Sequence, residues 1–174
     1  MNIQVMQSPN YEHRETDKKL AVIHWTAGNF AGAMDWFMNP ASKVSAHFLI
    51  SVTGTILQMV DPRYIAWHCN PSNSYLLKND YGIVNEGLNF CAIGFELEGP
   101  PSMLGLSKWQ DVQIQSLGEL LQSLSSTYSL MITDHSTIDA NAQKRDVLKG
   151  TGADLFPWVR LLELSGLEDA AKPA

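Results

Sequence analysis

Short apolar runs of strand length recur along this chain, each closed by a polar or turn-forming residue: "KLAVIH" (19–24), "AHFLISV" (46–52), "TILQMV" (55–60), "AIGFELEG" (92–99) and "SLMITDH" (129–135). Between them lie segments of helical pattern. That mixture constrains the chain to a sheet with helices packed on it. The second and third runs are separated only by Thr53 and Gly54, a hairpin signal, so this pair is expected to be antiparallel.

The stretch "FAGAMDWFMN" (30–39) is apolar enough to pack on the sheet, and Pro40 follows its end. A longer helix is expected over 108–126. Ser107 would be its N-cap, with Gln110 completing a capping box. Its apolar face would be Trp109, Val112, Leu117, Leu120, Leu121 and Leu124. A short helix should follow "LFPW", with Val159, Leu161, Leu162 and Leu164 available for packing. Residues 69–91 and 136–155 read as long irregular stretches, which in a compact domain are often functional. The fold class expected is α/β, a mixed central β-sheet packed by helices. The domain plan is an N-terminal segment 1–18, a folded domain 19–165 and a loose tail 166–174.

Composition narrows the function. The chain has 174 residues, enough for one domain with a sizeable core. A net charge of −6 argues against a nucleic-acid binder that neutralises phosphates, and gives no support for an anionic membrane surface. No apolar run approaches the roughly 20 residues needed to span a bilayer. The N-terminus lacks the basic-then-apolar order of a signal peptide. The chain is therefore expected to be made in the cytoplasm without membrane anchoring, as a monomer; action outside the membrane would need another release route. Cys69 and Cys91 are too few for a disulfide framework and read as plain thiols, with one bridge between them left open.

Chemistry gathers at the ends of the runs. His24 closes the first and is followed by Trp25, Thr26 and a glycine turn. An imidazole there is either a satisfied core residue or one half of a site. His135 closes the last run, and the polar loop after it carries Asp146. Zinc takes nitrogen and oxygen ligands in tetrahedral geometry, and a catalytic site supplies three and leaves the fourth position to water. Two strand-end histidines and a loop aspartate meet that need, although His and Asp are also common in ordinary loops. In "IGFELEG", Glu96 and Glu98 share one strand face. Facing a pocket, one of them could be a general base; facing water, neither has a role. His13 reads as a solvated surface residue.

Taken in order, "VIHWTAG", "VSAHFLI", "GTILQMV", "AWH", "IGFELEG", "DHSTID", "KRD" and "LFPW" resemble the zinc-dependent N-acetylmuramoyl-L-alanine amidases, over roughly residues 20 to 160. The superfamily includes recycling amidases, phage endolysins and peptidoglycan recognition proteins. The resemblance implies a single Zn2+ held by His24, His135 and Asp146, with Glu96 as catalytic acid/base and Lys144 steadying the oxyanion. It implies a peptidoglycan or muropeptide substrate, His68 lining its groove, and Trp25 and Thr26 forming groove wall beside the metal. His47 matches no ligand position and reads as structural or supporting. Each zinc histidine should rest its second ring nitrogen on a carbonyl or carboxylate.

The chain departs from the family pattern in four places. The gap from His135 to Asp146 is one residue longer than the usual pattern. The stretch "VLKGTGAD" before "LFPW" is also longer, which leaves a rival register with Lys149 in place of Lys144 and Thr151 in place of Asp146; threonine is a poor zinc ligand, which favours Asp146. Ala46 stands where some phage members carry tyrosine, leaving the proton work to Glu96. Cys69 and Asn70 follow "AWH" in place of a small pair. The style of the last loop leans toward an endolysin, with recycling enzyme and exported effector as alternatives. A non-catalytic peptidoglycan-binding module is the rival from another class.

Overall fold

The segment Leu20–Trp25 (β3) is buried on both faces as far as His24, as a central parallel strand must be. The structure, a computed structural model, describes residues 2–69, 87–138 and 152–170. The remaining strands are β1 (Ile3–Val5), β2 (Tyr11–Glu12), β4 (Phe48–Ile50), β5 (Ile56–Gln58), β6 (Ile65–Ala66), β7 (Ala92–Leu97) and β8 (Met131–Asp134). The helices are α1 (Phe30–Met38), α2 (Leu88–Cys91), α3 (Asp111–Ser125), α4 (His135–Ile138) and α5 (Trp158–Ser165). The main sheet runs β1-β5-β4-β7-β3-β8, and β2 pairs with β6 separately. Among the described residues, only β4 and β5 pair antiparallel in the main sheet, across the expected Thr53–Gly54 turn. The other neighbours are parallel.

Alternation along β3 and β7 sorts their side chains. Ala21, Ile23, Ile93, Phe95 and Leu97 join a core with Ile114, Leu117, Leu120 and Leu121 of α3 and Leu161 of α5. The opposite face carries Leu20, Val22 and Ala92 in one cluster. Next to it, α1 lays Phe37 against Ala46, Leu49, Leu57 and Met59. Asn29 caps α1 by accepting a 2.8 Å hydrogen bond from the Gly32 N–H. Beyond Val22 and Ala92 this second face turns polar, and the site lies there.

Four expectations need correction. The long helix starts at Asp111 with Gln110 at the N-cap and no side-chain cap, so Ser107 does not cap it. The cause is Trp109: its ring is buried, stacks on Trp25 and donates Nε1–H to Asp154 O at 3.1 Å, which holds the chain out of helix until it is past. Val112 is consequently exposed, and Gln113 turns inward, its Nε2 donating to Ile50 O and Glu98 O at 3.1 Å each. The irregular stretches contain α2 and α4. The tail expected to be loose is tied to β8 in its described part, as far as Ala170: Ile132 N–H donates to Glu168 O and Ala170 N–H to Ile132 O, both at 2.9 Å; residues 171–174 lie outside the described residues. The N-terminal segment is tied in by β1, which extends the sheet beside β5.

Candidate active site

Parallel strands that end together place their last side chains together, and a crevice at the carboxyl ends of such strands is the usual ligand site in open α/β sheets. Here β3 and β7 pair with His24 opposite Glu96 and Val22 opposite Gly94. His24 and Glu96 therefore leave the sheet side by side on the polar face. On the other side of β3, β8 ends at Asp134 and α4 begins at His135. The His24 and His135 rings lie 4.5 Å apart, centre to centre. Asp134 fixes the turn that carries His135: its carboxylate accepts from the Thr137 N–H at 2.9 Å, from Thr137 Oγ1 at 2.6 Å and from the Ser136 hydroxyl.

Beside this group opens a cleft of about 600 Å³, lined among others by Trp25, Thr26, Trp36, Trp67, His68 and Glu96. Trp25 also faces the α3 side, where it stacks on Trp109 at 6.2 Å. The Thr26 hydroxyl is spent on its own turn: it donates to Gly28 O at 2.7 Å and accepts from the Gly99 N–H at 3.3 Å. His68 touches His24 directly, with His24 Nε2 and His68 Nδ1 3.0 Å apart. His24 thus has an imidazole as one of its partners, where a carbonyl or carboxylate was expected. Cys69 Sγ lies 3.2 Å from the same His68 Nδ1. Burial holds the His68 ring well below the ordinary histidine pKa, helped by nearby His24, His47, His135 and Lys18. Cys69 and Cys91 are both free thiols.

His47 and Glu98 are both held by backbone contacts. Burial drives the His47 pKa down to about 3, with the Lys18 charge adding to it. The His47 ring is fully enclosed, Nδ1 accepting from the Gly94 N–H at 2.9 Å and Nε2 donating to Tyr64 O at 3.1 Å. Both Glu98 oxygens are taken by backbone: Oε1 accepts from the Phe30 N–H at 2.9 Å and Oε2 from the Val52 N–H at 2.8 Å. Glu98 thereby pins the start of α1 to the β4–β5 turn, while Glu96 faces the cleft.

Two strand-end imidazoles in ring contact, beside a carboxylate, form a donor set suited to a divalent cation that prefers nitrogen and oxygen ligands. His24, His68 and Cys69 also have ligand atoms within 4.8 Å of one another. Asp146 and Lys144, and the rival pair Lys149 and Thr151, lie outside the described residues. Two site-building residues went unread. Gly94 had a signal, a lone glycine inside a strand pattern, which marks close approach. Asn89 had none.

No helix among the described residues is long and apolar enough to cross a membrane. Residues 14–148 match the family model described as N-acetylmuramoyl-L-alanine amidase. Over 92% of its length the chain is 30% identical to the 1,6-anhydro-N-acetylmuramyl-L-alanine amidase AmpD of Salmonella typhimurium (strain SL1344), covering 88% of that protein. It is 37% identical to N-acetylmuramoyl-L-alanine amidase A of Achromobacter lyticus over 46% of this chain, a match spanning 44% of that protein. Among solved structures, a selenomethionine derivative of AmpD is similar at a TM-score of 0.65 and 26% identity, with 93% of each chain covered.

Proposed function

The chain belongs to the N-acetylmuramoyl-L-alanine amidase family, and from that premise we propose that it hydrolyses the amide between the lactyl group of N-acetylmuramic acid and the L-Ala of the stem peptide. The substrate is peptidoglycan or a muropeptide cut from it. The observation that carries this reading is the register of His24 against Glu96, with His135 in ring contact, at the rim of the cleft.

His24, His135 and Asp146 would hold one Zn2+. When bound, zinc supplies Lewis acidity and lowers the pKa of a coordinated water to about 7. Glu96 takes the proton from the attacking water and returns it to the leaving amine of L-Ala. Lys144 brings a positive charge to the oxyanion that develops on the carbonyl. Trp25, Thr26 and His68 border the groove that orients the muropeptide. The protein acts as a monomer.

The likeness to AmpD over nearly the whole chain favours soluble 1,6-anhydro-muropeptides, met in the cytoplasm, over intact wall reached after release. The experiment compares release of free L-Ala amine from anhydro-muropeptide and from purified sacculi, in zinc-loaded and chelator-stripped protein. Glu96→Ala should keep fold and zinc and lose roughly 100- to 10,000-fold in rate. Faster cleavage of sacculi makes it an endolysin or exported effector. Muropeptide binding with no amine released makes it a recognition module. A protein that neither binds zinc nor gains activity from it refutes the metal reading.

A further inference from the structure

The His68 ring is held with more care than a groove wall needs. Asn89 clamps its backbone from α2: Oδ1 accepts from the His68 N–H at 3.2 Å and the Cys69 N–H at 2.8 Å, and Nδ2 donates to Cys69 O at 2.9 Å. Lys18, itself buried, reaches the Asn89 and Phe90 carbonyls at 3.5 and 3.3 Å from the other side. The ring then lies flat over Gly94, in space that only glycine leaves open. A Cβ there would stand 2.5 Å from His68 Cγ and 2.7 Å from both Cδ2 and Nδ1. These constraints bring Nδ1 to 3.0 Å from His24 Nε2.

We infer that His68 is a positioning residue for the metal ligand His24, set in place by Asn89 and Gly94. The inference rests on the zinc reading above. An imidazole that binds a cation through one nitrogen carries its proton on the other, and a fixed acceptor for that proton sets tautomer and ring angle together. His68 Nδ1 is that acceptor. His24 then donates Nε2–H and presents Nδ1 as the nitrogen whose lone pair a cation can take. Gly94 serves twice: its missing side chain admits His68, and its N–H holds the His47 ring behind it.

The test is zinc affinity, measured by competition with a chromophoric chelator on the full chain, with melting curves as the folding control. His68→Leu should weaken zinc binding by about 10- to 100-fold, the usual cost of losing such a partner. His68→Asn should recover most of that loss, because its side-chain oxygen can accept near the place of Nδ1. Asn89→Ala should fall between the parent and His68→Leu. Binding by His68→Leu at the parent's affinity, even with a raised KM, overturns the inference and leaves His68 as groove wall. Loss in His68→Asn equal to that in His68→Leu also overturns it. A thiolate charge-transfer band in the cobalt-substituted parent, abolished by Cys69→Ser, would instead make His68 and Cys69 ligands and overturn it. A parent that binds no zinc removes the function proposed above as well, so the two failures are distinct.

Discussion

The fully enclosed His47 ring makes stability depend on pH in a way that can be calculated. In the unfolded chain its pKa is near the ordinary 6.5, and in the folded protein burial lowers it to about 3. Between those values the unfolded chain binds a proton that the folded protein does not, so stability falls as the pH drops through 6.5 toward about 3. It is fully present above 6.5, where both states carry a neutral ring. Each pH unit inside the window costs about 1.4 kcal/mol. Moving from about pH 7.5 to about pH 5 crosses roughly one and a half units of it, or about 2 kcal/mol. Against a total of about 5–15 kcal/mol for a domain, that is a visible share. His47→Gln keeps an acceptor for the Gly94 N–H and a donor for Tyr64 O but cannot titrate. Urea unfolding of parent and variant at the two pH values isolates this ring, because every other group, His68 included, is common to both. The parent should lose about 2 kcal/mol more than the variant. Equal losses would refute the claim that the ring is kept neutral by enclosure.

Three further substitutions separate structural from chemical roles. Glu98→Ala strands the Phe30 and Val52 N–H groups and should destabilise the fold by about 3 kcal/mol in denaturant unfolding. Unlike Glu96→Ala, it should leave the rate of whatever protein stays folded within a few-fold of the parent. Asp134→Ala removes the acceptor for Ser136 and Thr137 and should cost about 1–2 kcal/mol, with a clearer loss in zinc affinity as His135 is released. Leu117→Ala, at a site with no exposure between α3 and the sheet, should cost about 3 kcal/mol by calorimetry or urea titration and leave zinc affinity unchanged.

Strands β3, β4, β5, β7 and β8, the Thr53–Gly54 hairpin and α1 were legible because each is written locally, in an apolar period and a turn or cap residue; β1, β2 and β6, two or three residues each, carry no such period and were not. Where a distant contact overrides local preference, the pattern misleads. Ser107 and Gln110 have the spacing of a capping box, yet Trp109 between them is drawn into the core by Trp25 and Asp154, and the helix starts later. The tail after Leu164 looks loose because its ties to Ile132 are backbone hydrogen bonds, to which composition is blind.

The sequence by itself determined which side chains share a face. A strand alternates with period two, so His24 had to leave β3 on the side opposite Ile23, and Glu96 and Glu98 had to start on one side of theirs. Tertiary structure decided what each polar group there could do. Strand order set β7 and β8 on either side of β3, which brings Glu96 and His135 to His24. One step past the end of β7, the start of α1 and the β4–β5 turn bring two N–H groups to Glu98 and take it out of the chemistry. The same assembly encloses His47 and lays His68 over Gly94. Alternation is a property of neighbours in the chain, but the partner of a buried polar group comes from elements far away in sequence, so only the assembled sheet separates these roles.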